Sequence, residues 1–311
     1  PQFSRRHALS LLGTGTAALA LEACSRAAPT ELTSVPPLLA AGFLDKYAWK
    51  LIELSPESAT SLGVDNGSHT ALRSQLGDRS QTGQRRIAQL LRDAQRENWG
   101  FTSENLDAAT RTSLAVVNSA FSTALDGFAL PYGDVAVGGW RNTPYVVIQN
   151  VGAYLDTPRF LDGDHPVKDV ADAEAYLARL SQFPAQLDGE LERLASAGRI
   201  GAIAPSFLLD KAIRQMEMSL TDARQGGGLV QSLVRRTATI PGEWGRRAHE
   251  IATGPVAEAL ERQLAELKAQ RAKASDHAGL WARPRGDEWY AWGLRASTTT
   301  RHTPDEVHAM G

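Results

Sequence analysis

Cysteine is nearly absent from this chain: its 311 residues include one, Cys24, so no intrachain disulfide can form. Neither sign of charge dominates. The 33 Lys and Arg face 35 Asp and Glu, giving a formal charge of −2 and a pI near 6.4. That excludes a global basic field of the kind that recruits nucleic acid or an acidic membrane. Familiar catalytic signatures are also missing. There is no Gly-x-Ser-x-Gly nucleophile elbow. His249-Glu250 opens like a zinc-binding His-Glu-x-x-His, but position 253 is Thr, so the second imidazole one turn on is lacking. Gly226-Gly227-Gly228 has no Lys-Ser/Thr after it and reads as a flexible joint, not a phosphate loop. Asp162-Gly163-Asp164-His165 lacks the ligand spacing and closing Glu of a calcium loop and reads as a turn before Pro166. No sustained period marks a solenoid.

What is present can build a core: 42% of residues are hydrophobic and 22% charged, ordinary values for a globular protein. The first 24 residues read as an export signal. Arg5-Arg6 is a twin-arginine pair, and a weakly apolar run from Ala8 to Leu21 follows, too short to span a membrane. Leu21-Glu22-Ala23-Cys24 then resembles a lipobox, with Cys24 as the lipidation site. Ala8, where such signals usually carry Phe, and Glu22 inside the lipobox depart from the pattern. Residues 25–36 are a tether. The expected partners at this end are the twin-arginine export machinery and a membrane reached through the lipid anchor, which places the protein in the periplasm or cell envelope.

From residue 37 to 311 the pattern is helical. Leu39, Phe43, Tyr47, Leu51 and Leu54 recur every three or four positions, and helices are predicted over 37–57, 78–99 and 103–125. Others follow over 169–197, 205–220, 229–237, 241–252, 255–275 and 288–296. Pro184 should kink its helix, Gly198 should cap it, and Pro241 and Pro255 should each launch one. A Glu258–Arg262 pair is expected on the last long helix, and Arg235-Arg236 and Arg246-Arg247 on solvated faces. Between 126 and 168 Gly and Pro are frequent, and Val135–Val137 and Tyr145–Ile148 have strand length. The fold class is therefore all-α, a multi-helix array with one irregular or small β insert around 126–168.

The last stretch, Tyr290 to Gly311, carries the most information. Thr303-Pro304-Asp305-Glu306 is laid out as a helix start with a capping box. Gly311 follows about two turns later, and so short a helix has little stability alone. The 311 residues accordingly read as the front of a longer protein, an incomplete helical domain. His302 and His308 are six apart and do not share a helical face. Thr298-Thr299-Thr300, flanked by Arg295, Arg301 and His302, is either a capped loop or a polar rim facing a substrate.

This segment, YAWGLRASTTTRHTPDEVHAMG, resembles a signature of the bacterial "domain of unknown function 885" family. Pro144 to Tyr154, PYVVIQNVGAY, agrees, as do Pro158 to Asp162, Ala171 to Leu180 and Pro205 to Met216 with its Leu209-Asp210-Lys211. The family's members are largely helical and similar to zinc metallopeptidases of the carboxypeptidase and neurolysin-like kind. Their His-Glu-x-x-Pro-Gly-His-His motif lies downstream of the shared segment and is not in this chain. The resemblance thus implies zinc for the full-length protein, no metal ligand within these residues, and a peptide substrate. It also makes Tyr290, Arg295, Thr299 and His308 candidates for a cleft rim. The expectation is the N-terminal part of an exported zinc-dependent peptidase or hydrolase. The alternative is a non-catalytic helical envelope lipoprotein that binds a peptide or protein partner.

Overall fold

Apolar spacing of three and four turns most of this chain into helix. The computed structural model describes residues 37–98, 106–139 and 141–311; Arg5, Arg6 and Cys24 lie outside them. The described residues hold twelve α-helices. The first six are α1 (Pro37–Glu53), α2 (Pro56–Leu62), α3 (Gln81–Asn98), α4 (Ala108–Phe128), α5 (Ala153–Gly163) and α6 (Val170–Arg199). Then come α7 (Ser206–Arg224), α8 (Gly228–Arg236), α9 (Trp244–Ile251), α10 (Ala257–Arg271), α11 (Gly286–Thr298) and α12 (Pro304–Met310). A 3-10 helix over Gly67–Ser74 joins α2 to α3. The fold is all-α.

Two apolar clusters hold most of the helices. In the first, Phe43 and Tyr47 of α1 meet Leu91 and Ala94 of α3 and Leu114 and Phe121 of α4. Ala40 completes the α1 stripe, whereas Leu39 stays 57% exposed, so the buried face lies one residue round from the predicted one. The second cluster surrounds α6. Tyr176, Leu177, Leu180 and Leu187 pack on Leu209 and Met216 of α7 and on Leu260, Leu264 and Leu267 of α10. Each such side chain contributes about 1.5–3 kcal/mol by leaving water.

The other side of α6 is polar and equally buried. Asp172, Arg179, Gln186 and Arg193 recur at intervals of seven, which keeps them on one face, and all are under 9% exposed. They bind the segment that runs from the 3-10 helix to α3. Asp172 accepts from Arg73 at 3.0 Å. Arg179 donates to the carbonyls of Leu72 (3.0 Å) and Gln75 (2.9 Å). Gln186 donates to Gly77 C=O (2.9 Å), and Arg193 to Arg79 C=O (3.2 Å). As α6 advances, so does its partner. Backbone groups that have no helix or sheet to satisfy them are satisfied by side chains of α6.

Several local expectations change. The irregular insert is narrower than 126–168. Its strand-length runs make only isolated antiparallel bridges, Asp134 with Thr143 and Ile148 with Val151, and α5 occupies its second half. That helix starts because the Glu190 carboxylate accepts the Ala153 N–H at 2.8–2.9 Å, a tertiary cap that no local signal announces. Pro184 sits inside α6, which continues to Arg199 and ends at Ile200 instead of Gly198. Pro255 launches no helix either. It lies in a π-helical turn, Ala252–Val256, that joins α9 directly to α10, because the wider turn tolerates a missing N–H. Arg262 bypasses Glu258 and makes a two-pronged pair with Asp188 of α6 at 2.8 and 3.0 Å. Arg236 is no solvated face, since it donates to the Leu161, Asp162 and His165 carbonyls at the end of α5.

Candidate functional site

The Tyr290–Gly311 region is anchored by two indoles. Trp289 and Trp292 of α11 are 4% and 6% exposed and meet edge to face, centroids 5.1 Å apart. Trp292 donates its Nε1–H to Thr123 C=O of α4 at 2.7 Å. Its ring occupies the space where a Cβ on Gly127 would stand, 2.2 Å from the indole, so only glycine allows this contact. Trp289 donates to Tyr132 C=O at 3.3 Å.

The four rim candidates sit around this anchor in different settings. Tyr290 is half exposed. Arg295 is turned onto Asp126 of α4 as an ion pair, which ties down the helix. Thr299 ends α11 with φ 56, a left-handed conformation that strains a β-branched residue. His308 is exposed on α12. That helix has its capping box: Thr303 Oγ1 accepts from Glu306 N–H at 3.2 Å, and Glu306 accepts from Thr303 N–H at 2.7 Å. No side chain of α12 is buried. The Thr299 N–H donates to the Arg295 carbonyl at 2.8 Å, which closes the end of α11; among the described residues no side-chain hydrogen bond or ion pair joins any two of the four candidates.

Metal ligands are not assembled. Among the described residues no group of three or more His, Cys, Asp or Glu is placed to hold an ion. His249 and Glu250 are both exposed, and His302 faces only Glu306, 3.6 Å away. The described residues do not fit a zinc centre.

The stretch read as a plain turn holds the most perturbed imidazole. His165 is 1% exposed. Its Nδ1 accepts from Arg179 at 2.7 Å, and Nε2 donates to Asp172 C=O at 3.0 Å. Burial, with Arg179 and Arg236 nearby, lowers its pKa to about 4. Arg179 is fully buried with no carboxylate in direct contact, and burial lowers its pKa to about 10. Farther along, burial pushes the Glu190 carboxyl up, while Arg79 at 2.8 Å and the Ala153 amide oppose that. The polar atoms at these two centres are spent on one another and on backbone groups of neighbouring segments, so they brace the fold.

A cleft opens between α5, α7 and α8, with a volume of about 580 Å³. Phe183, Val256, Leu260 and Ala223 form its floor, each at most 5% exposed. Arg159, Asp162, Arg235 and Met218 stand at its rim, all exposed. Sequence reading passed over it because its walls come from several separate segments spread between Tyr154 and Leu260. The one local signal was the amphipathic pattern of α7, whose Met218 points outward at 64% exposure.

Residues 56–311 match the family described as "Bacterial protein of unknown function (DUF885)". The chain belongs to the DUF885 family. A solved structure from Colwellia psychrerythraea, described as a "putative lipoprotein", has the same fold, with a TM-score of 0.78 at 17% identity. The match covers 88% of this chain and 48% of that one, so this DUF885 chain spans about half the length of the structure it resembles. No curated protein matches it.

Proposed function

We propose that this DUF885 chain is the scaffold portion of an exported, envelope-located, zinc-dependent peptidase-type hydrolase. In this reading it presents α11 and α12 to a peptide substrate, while residues outside the 311 supply the metal and the general base. The observation that carries the reading is the family match over residues 56–311, combined with coverage of 48% of the Colwellia chain. The resemblance of Tyr290–Gly311 to the segment that precedes a zinc motif supplies the chemistry. Since the described residues do not fit a metal centre, no catalytic step is assigned to them.

The lipoprotein description of the Colwellia structure supports an envelope location anchored at Cys24. Among the described residues no helix is long and apolar enough to cross a membrane. A second reading, a non-catalytic helical envelope lipoprotein that binds a peptide or protein partner, is favoured by the lipoprotein description of the Colwellia structure.

Elemental analysis and peptide hydrolysis on the full-length gene product and on the 311-residue chain separate the two. The hydrolase reading expects one zinc per full-length chain, hydrolysis abolished by a chelator, and neither property in the 311 residues alone. A full-length protein that is metal-free and inactive yet binds peptide supports the second reading. One tight zinc in the 311-residue chain would overturn the first.

A further inference from the structure

We infer that the cleft between α5, α7 and α8 is a binding site for a medium-chain alkyl carboxylate, its hydrocarbon on the apolar floor and its anion on Arg159. Three observations carry this. The volume, about 580 Å³, lies within the range of small-molecule sites. The floor of Phe183, Val256, Leu260 and Ala223 is apolar and offers a chain nothing but carbon contact. The hydroxyl of Tyr154, a buried lining residue, is already engaged by Ile148 C=O at 3.0 Å and Gln215 at 2.9 Å.

The rim charges select the headgroup. Asp222 accepts the Gly228 N–H at 2.9 Å. Arg235 stands 3.5 Å from Asp162, so those two charges offset one another. Arg159, exposed on α5, has no hydrogen-bond or ion-pair partner among the described residues. A guanidinium with no direct partner beside an apolar floor is complementary to an amphiphilic anion, and a carboxylate can meet it with two parallel hydrogen bonds. A peptide fits less well. Its amides would be buried without partners against a floor of carbon, which costs more than burying an alkyl chain gains.

Calorimetry on the 311-residue protein tests this with decanoate below its micelle concentration, alongside decanol, decyltrimethylammonium and the peptide acetyl-Gly-Gly-Leu. Decanoate should saturate at one per chain and bind about tenfold or more tighter than decanol. Arg159→Glu, a solvent-side change that leaves the core intact, should remove that preference and leave decanol binding unchanged. Ser219→Trp, which fills the cleft from α7, should abolish binding of both. The proposal is overturned by a lack of saturable decanoate binding, by equal affinity in the Arg159→Glu protein, or by tighter binding of the peptide. It is independent of the hydrolase reading, because decanoate uptake and zinc content are separate measurements.

Discussion

His165 shows how burial sets chemistry one side chain at a time. Its neutral ring is held between a donor, Arg179, and an acceptor, the Asp172 carbonyl, and a proton added at Nδ1 would face the guanidinium directly. The pKa falls from 6.5 to about 4. In the unfolded chain the ring titrates normally, so below pH 6.5 the unfolded state binds more protons than the folded one. Stability is therefore full above about pH 6.5 and declines as pH falls toward 4, by roughly 3 kcal/mol for a shift of this size. Urea midpoints at pH 7.5, 5.5 and 4.5 read that loss. In His165→Gln the same interval should be markedly flatter, and an unchanged slope would assign the acid sensitivity to other groups. None of this was legible in Asp162-Gly163-Asp164-His165-Pro166, a run that looks like any polar turn. The ring's setting comes from α6, whose Arg179 lies 14 residues away.

At the scale of the element, helices with an apolar stripe and a local cap follow from sequence, and those begun by distant groups do not. α12 belongs to the first kind. Its capping box forms as predicted, yet no side chain is buried, so the cap is its main support. Thr303→Ala should cost about 1 kcal/mol locally. Amide exchange over residues 304–310 should quicken, while the global melting temperature stays within a degree or two, because no core contact is lost. Coupled loss of α11 would instead mean that the two helices unfold as a unit. α5 belongs to the second kind, since its N-terminus is capped by Glu190 from α6. The π turn at Pro255 is a third case. Proline advertised a helix start, but packing of Val256 and Leu260 against α6 favoured a continuous path with one wider turn. The heptad spacing of Asp172, Arg179, Gln186 and Arg193 was visible as residue types. Only the fold made it a buried polar seam instead of a solvated face.

For the molecule as a whole, the export reading yields a prediction that needs no catalytic assumption. Replacing Arg5 and Arg6 by Lys should leave the protein in the cytoplasm, as fractionation would show, whereas normal localisation removes the twin-arginine reading. Cys24→Ser should release exported protein from the membrane fraction. The sequence by itself determined the all-α class, most helix positions, the capped start at Thr303 and the family, because apolar period, capping residues and linear motifs are short-range properties written in consecutive residues. Tertiary structure alone decided the start of α5, the partner of Arg262, the ionisation of His165 and the cleft under Arg159. Each of these depends on groups far apart in the chain brought within a few ångströms, where burial and the loss of water set the energies.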